Sequence, residues 1–194
     1  MRSLPRRILR ATGTTLLVLG FVVLAYIAWL LWGTGIYTDR AQQGLREEFN
    51  RPQGPTELVS LRGDAIAILR IPRIEVDVMV VEGTDVLSLK KAPGHYDKTD
   101  YWWEDRGTVG IAGHRTTYGA PFWDLNKVRP GDLMEVVTRR GTFTYEVTGS
   151  KEVLPSAIEV LEPTRKPTMV LTTCTPRFSA ARRLVVFAER IARH

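Results

Sequence analysis

The chain has 194 residues, a single cysteine and a formal charge of +6, a size that fits one domain with accessory segments. Four of its 27 basic residues, Arg2, Arg6, Arg7 and Arg10, stand in the first thirteen positions, and the rest of the chain sets 23 basic against 21 acidic residues. That balance gives no basic surface for nucleic acid, and one cysteine excludes an intramolecular disulfide.

Thr14 to Trp32 is a run of nineteen uncharged residues. As a helix it spans about 28 Å, enough to cross a bilayer core. Trp29, Trp32 and Tyr37 gather at its C-terminal end, as interfacial aromatics do. A cleaved signal peptide is the competing reading. The run is long for one, and no clear small-x-small site follows it. The four arginines before the run have no acidic company, whereas residues 33 to 50 mix Arg40 and Arg46 with Asp39, Glu47 and Glu48. The positive-inside rule keeps the N-terminus in the cytoplasm and puts the rest outside the cell membrane, as a single-pass protein. The expected organisation is a cytoplasmic basic tail over 1–13, a transmembrane anchor over 14–32, an extracellular stalk or linker over 33–59, and a folded domain over 60–194.

Within the linker, Leu45 and Phe49 stand four apart and fit one face of a short helix. Arg51-Pro52-Gln53-Gly54-Pro55 ends it. Short strands follow. Ala65 to Arg70 is one, and Glu75 to Val81 begins with the alternation of a half-buried strand. Thr84 caps a short helix through Leu89, and Ala92-Pro93-Gly94 turns. Thr108 to His114 is the next strand, and Pro121 to Asn126 forms a helical turn anchored by Phe122, Trp123 and Leu125. Leu133 to Thr138 and Thr142 to Val147 make a hairpin about Arg140-Gly141. Thr168 to Cys174 and Arg183 to Ile191 complete the set. The spacing and turns predict a closed or nearly closed all-β barrel with short helices.

Three strand ends carry chemistry: the thiol of Cys174, the imidazole of His114 and the guanidinium of Arg183. Together they suit a nucleophilic site. A lone cysteine is as well explained as a small buried hydrophobe. A free thiol on an exported domain is nonetheless exposed to oxidation, which favours a chemical reason for keeping it. Asp and Glu are scattered singly, with no metal-ligand spacing.

The motifs settle on a family. Val170-Leu171-Thr172-Thr173-Cys174, with Arg183 nine residues later, resembles the Thr-Leu-x-Thr-Cys…Arg signature of the sortases, the cysteine transpeptidases of Gram-positive cell surfaces. Val170 replaces the first threonine. Ala112-Gly113-His114-Arg115-Thr116-Thr117-Tyr118-Gly119-Ala120-Pro121-Phe122 and Pro93-Gly94-His95-Tyr96 are similar to class E sortases of high-GC bacteria. The resemblance runs from about residue 60 to the C-terminus. It implies a sortase-like barrel with Cys174 as nucleophile, His114 as general acid and base, and Arg183 as oxyanion stabiliser. It also implies cleavage of a Leu-Ala-x-Thr-Gly or Leu-Pro-x-Thr-Gly sorting signal between Thr and Gly. The acyl group then passes to an amine of a peptidoglycan precursor, lipid II. Secreted proteins bearing the signal are the implied partners, and no metal or organic cofactor is needed.

Other residues have two readings each. Tyr118 either reads the second signal residue or packs, and Thr173 either donates a hydrogen bond near the acyl site or packs. His95 is a rival base in a turn or a structural group. His194 is terminal, and Arg177 and Arg182 read as solvated charges. The loop Asp100 to Gly107, with Trp102 and Trp103, is unlike the family and is expected to alter a substrate-facing surface. A pilin-polymerising sortase is the rival enzyme, but it carries a lid with an aspartate-proline-aromatic motif and a second span, and Pro72 and Pro93 lack that context. A tethered β-barrel binding module with an inert cysteine is the non-enzymatic rival.

Overall fold

The computed structural model describes residues 4–51 and 61–193. The alternating segments become eight strands. They are β1 (Ala65–Ile71), β2 (Val76–Glu82), β3 (Gly94–His95), β4 (Gly107–Ala112), β5 (Leu133–Thr138), β6 (Gly141–Val153), β7 (Pro167–Thr175) and β8 (Arg182–Arg193). They close into a barrel in the order β1-β2-β3-β4-β7-β8-β6-β5, the closed all-β architecture expected from the spacing. Closure joins all eight strands into one ring, although β3 is too short to cover the full length of β2 and β4.

Strand parity decides what lies inside. Along β7, Met169 and Leu171 join the core, and along β8 so do Leu184, Val186 and Ala188. The alternating partners Thr172, Cys174, Arg183 and Val185 therefore face the outside of the barrel. The connection from β6 to β7 covers part of that outer face. A side chain on Gly110 would come within 2.8 Å of Leu161 and of Tyr96, so a residue without Cβ is required there.

Several boundaries differ from the sequence reading. Strand β4 ends at Ala112, so His114 lies two residues past it and not on the strand. Strand β6 runs on to Val153, because register shifts around Thr144 and between Val147 and Gly149 absorb the break in alternation. Asp85, not Thr84, caps the helix α3 (Val86–Lys91; the two helices before it are described below), its carboxylate accepting from the N–H of Leu87 and Ser88. The segment read only as a turn contains β3, too short to show a pattern.

The Trp102–Trp103 loop packs against the main core. Trp102 is fully buried in the main core, and Trp103 stacks on Tyr101 at 4.6 Å with Arg140 over its ring. The loop precedes β4, at the end of that strand away from His114. His95, the rival base, is also fully buried. Its Nδ1 lies 3.1 Å from Glu82 Oε1 and its Nε2 3.0 Å from the carbonyl of Asp100. Tyr101 donates to the same Glu82, and its phenol is pushed up to about 12 by burial and that carboxylate. With both ring nitrogens committed, His95 braces the β2–β3–β4 joint.

Before the barrel, α1 (Leu4–Ala28) passes through a π-helical turn over Trp29–Gly33 into α2 (Thr34–Asn50). Arg7–Ala28 is long and apolar enough to cross a membrane. Helix α2 covers most of the segment read as a stalk or linker, and it lies against the barrel. Leu45 is buried with Ala65, Ile68 and Met79, and Phe49 packs beside it, so the four-residue spacing does define one face. Gln42 accepts from the N–H of Met79 and donates to the carbonyl of Lys91. Arg139 donates to the carbonyl of Glu48 at the helix end. Arg2, Pro52 to Pro55 and His194 fall outside the described residues.

Candidate active site

The site is assembled by strand register. Strands β4 and β7 run parallel at a constant offset, with Ala112 opposite Thr172. One residue on, Gly113 N–H donates to the Thr172 carbonyl at 3.0 Å. The hydroxyl of Thr173 then donates to the Gly113 carbonyl at 2.8 Å. His114 follows two residues past the end of β4, at the same end of the sheet as Cys174. Across the antiparallel β7–β8 pair, Cys174 stands opposite Arg183. Cys174, His114 and Arg183 thus stand at one end of three adjacent strands. Cys174 is a free, half-buried thiol.

His114 is held by what surrounds it. The Tyr118 ring packs on it at a centroid distance of 5.0 Å. Its carbonyl accepts from the N–H of Phe122, whose ring fills the core. That ring lies so close to Gly113 that a Cβ there would meet it at 2.5 Å. Burial pushes the imidazole below the ordinary histidine range, because the charged form loses its hydration.

Arg183 does not point its guanidinium at the thiol in this structure. Its Nη1 donates to the carbonyls of Ala180 and Arg182, at 3.1 and 3.2 Å. Arg182, opposite Thr175, pairs instead with Glu152. Arg177 is not a free solvated charge. It donates to Asp124 Oδ1 at 2.8 Å and stacks on Trp123. Phe178, next to it, meets the edge of the same indole.

Thr173 is buried, and its hydroxyl is committed to Gly113. It staples the two strand ends that carry the thiol and the imidazole. Tyr118 is half-buried beside His114, with Lys90 Nζ 5.8 Å from its ring.

Arg115 escaped the sequence reading. It is buried, and its guanidinium donates to the carbonyls of Cys174 and Trp123, both at 3.3 Å, and to Asn126 Oδ1 at 2.7 Å. Burial first, then the neighbouring Arg177, pushes it below the usual arginine range. It ties the backbone at the nucleophile to the loop that follows His114. The signal was an arginine directly after the histidine, at the opposite parity. Its main partners are carbonyls, which every residue has, so the sequence offered nothing to pair it with. Among the described residues no cluster of three or more His, Cys, Asp or Glu suits a metal ion.

Comparison with known proteins identifies the fold and the family. The Sortase domain family model matches residues 69–191. Sortase SrtE1 of Streptomyces coelicolor is 31% identical over 205 residues, covering 94% of this chain, which spans 57% of that relative's length. The crystal structure of Sortase E1 from Streptomyces coelicolor with a tripeptide in the active site superposes with a TM-score of 0.65 at 32% identity. That match covers 70% of this chain and 93% of the other. A Clostridium perfringens Sortase D5 transpeptidase gives a TM-score of 0.70 at 29% identity, covering 80% of this chain and 98% of the other. A domain match over most of the barrel, on the strands that bring Cys174, His114 and Arg183 together, means that the chain belongs to the sortase family.

Proposed function

We propose that the chain is a membrane-anchored, class E-like sortase of a Gram-positive cell, working on the outer side of the membrane to attach secreted proteins to the wall. The observation that carries this reading is the convergence of Cys174, His114 and Arg183 at one end of β4, β7 and β8. The Cys174 thiolate attacks the threonine carbonyl of a Leu-Ala-x-Thr-Gly or Leu-Pro-x-Thr-Gly signal. Arg183 swings from its turn carbonyls to the developing oxyanion. The His114 imidazolium gives its proton to the departing glycine amine, leaving a thioester on Cys174. The neutral imidazole then takes a proton from the incoming amine of a peptidoglycan precursor, lipid II, as that amine displaces the thiolate. Tyr118, beside His114, contacts the signal residues, and Thr173 keeps the two strand ends in register. The helix over residues 14–32 is the anchor, with the arginine-rich tail of residues 1–13 in the cytoplasm and residues 33–59 leading to the catalytic domain.

The test is the fate of the acyl group. The full chain in detergent micelles is given a signal peptide with and without a glycine-type amine. Added amine is expected to replace the hydrolysed peptide by a ligated one. A product ratio indifferent to amine would make the protein a plain protease, and no cleavage at all would favour an inert binding module.

The pH profile has a defined sign. The productive form holds thiolate and imidazolium together. For a thiol that titrates above the imidazole, the acid limb bends at the imidazole value. Burial lowers that value, so the acid limb of kcat/KM is expected below the ordinary 6.5. A limb at or above 6.5 would mean that His114 is solvated during the reaction.

A further inference from the structure

The loop after His114 contains an unusual stretch. Tyr118, Gly119 and Ala120 all have positive φ, at 51°, 72° and 43°. L-residues rarely hold a left-handed conformation unaided, and two of these three, Tyr118 and Ala120, are not glycine, so the turn needs outside support. Within the loop Ala120 N–H donates to the Thr117 carbonyl at 2.9 Å, and Phe122 N–H closes the wider loop on the His114 carbonyl at 3.1 Å.

The outside support comes from α2. Tyr118 N–H donates to the hydroxyl of Thr34 at 3.1 Å, and that hydroxyl donates in turn to the Leu30 carbonyl at 2.9 Å. Thr34 is buried although it sits in the first turn of the helix. One turn on, Thr38 is also buried, and its hydroxyl donates to the carbonyl of Lys90 at 3.0 Å. Its methyl group lies where a side chain on Gly119 would come within 3.3 Å. Both threonines meet the stretch that carries the Tyr118 ring, and that ring lies on the imidazole.

We infer that Thr34 and Thr38 of α2 are positioning residues for His114, acting through the left-handed turn Tyr118–Ala120. The inference rests on the reading of His114 as the acid and base. The helix that leaves the apolar span is thereby part of the scaffold of the site. Release of Tyr118 N–H from Thr34 frees the turn, and the ring lifts from the imidazole. Lys90 of α3 holds its Nζ 5.8 Å from the Tyr118 ring, and Cys174 and Arg183 face each other across β7 and β8.

The experiment uses the full chain in detergent micelles, with histidine labelled at Cε1. The His114 signal is assigned by its loss in His114→Asn. Thr34→Ser keeps the hydroxyl and should titrate and turn over like the parent chain. Thr34→Ala and Thr34→Val remove the acceptor. In both, the His114 midpoint should rise toward the ordinary value as the ring loses its cover, and kcat should fall about five- to tenfold with KM little changed. Gly119→Ala presses on Thr38, the other contact of α2 with this turn, and should act in the same direction, should the Thr34 variants fail to fold. An unchanged His114 midpoint and kcat in a folded Thr34→Ala or Gly119→Ala chain would overturn the inference, as would a Thr34→Ser chain no better than Thr34→Ala. The titration needs no substrate. A parent chain without turnover would therefore sink the assigned reaction, while the midpoints still decide whether α2 positions the imidazole.

Discussion

Cys174→Ala is expected to abolish peptide cleavage and leave the barrel folded. The thioester step has no other candidate nucleophile, since this is the only cysteine in the chain. The side chain faces outward from β7 and is not among the core residues, so its loss should cost about 1 kcal/mol or less of stability. Arg115 bonds the Cys174 carbonyl, not the sulfur, and that bond survives the substitution. Thermal unfolding by circular dichroism and peptide cleavage by chromatography test the two halves separately. Appreciable turnover by a mutant that melts like the parent would rule out a covalent route through this thiol.

The second large effect separates two adjacent arginines. Arg183→Ala should lower kcat on the order of 10²–10³, as removal of an oxyanion donor does. Arg182→Ala should change it little, because Arg182 stands opposite Thr175 and is paired with Glu152. Neighbouring residues on a strand face opposite ways, so only one of the two shares the Cys174 face. Arg183→Lys should recover little, since lysine keeps the charge and loses the planar fork. The bonds from Arg183 to Ala180 and Arg182 are the ones it exchanges for the oxyanion, so its loss should leave substrate-free stability nearly unchanged. If the alanine variants traded outcomes, the oxyanion donor would be Arg182, reaching round from the other face.

How far the sequence carried this result depended on the kind of interaction. Strands with clear alternation or dense β-branched residues, such as β5 and β7, were legible within a residue or two. Their inward positions alone explain the barrel. The two-residue β3 was not, because two residues carry no period, and the far half of β6 was hidden by bulges around Gly149. Cys174, His114 and Arg183 stood out because each ends or opens an apolar run; register sets Cys174 opposite Arg183, and His114 follows the end of the neighbouring β4. Arg115 did not, because a guanidinium bound to backbone carbonyls has no partner that a sequence can display. Trp102 misled for a related reason. An aromatic pair in a polar loop looks like a contact surface, yet Trp102 turns inward and plugs the barrel.

The brevity of β3 has a mechanical consequence. Every other junction of the barrel is a ladder of several rungs, but β2 and β4 communicate through a strip two residues wide. Such a ring gives first at its thinnest joint. Two clasps span the gap. One is the buried His95–Glu82 pair within the wall. The other is α2, which grips Met79 and Lys90 on one side and Tyr118 on the other. His114 lies two residues past β4, which borders this joint, so both fasteners bear on the frame from which the imidazole hangs. Loosening either would soften the site before it unfolded the domain.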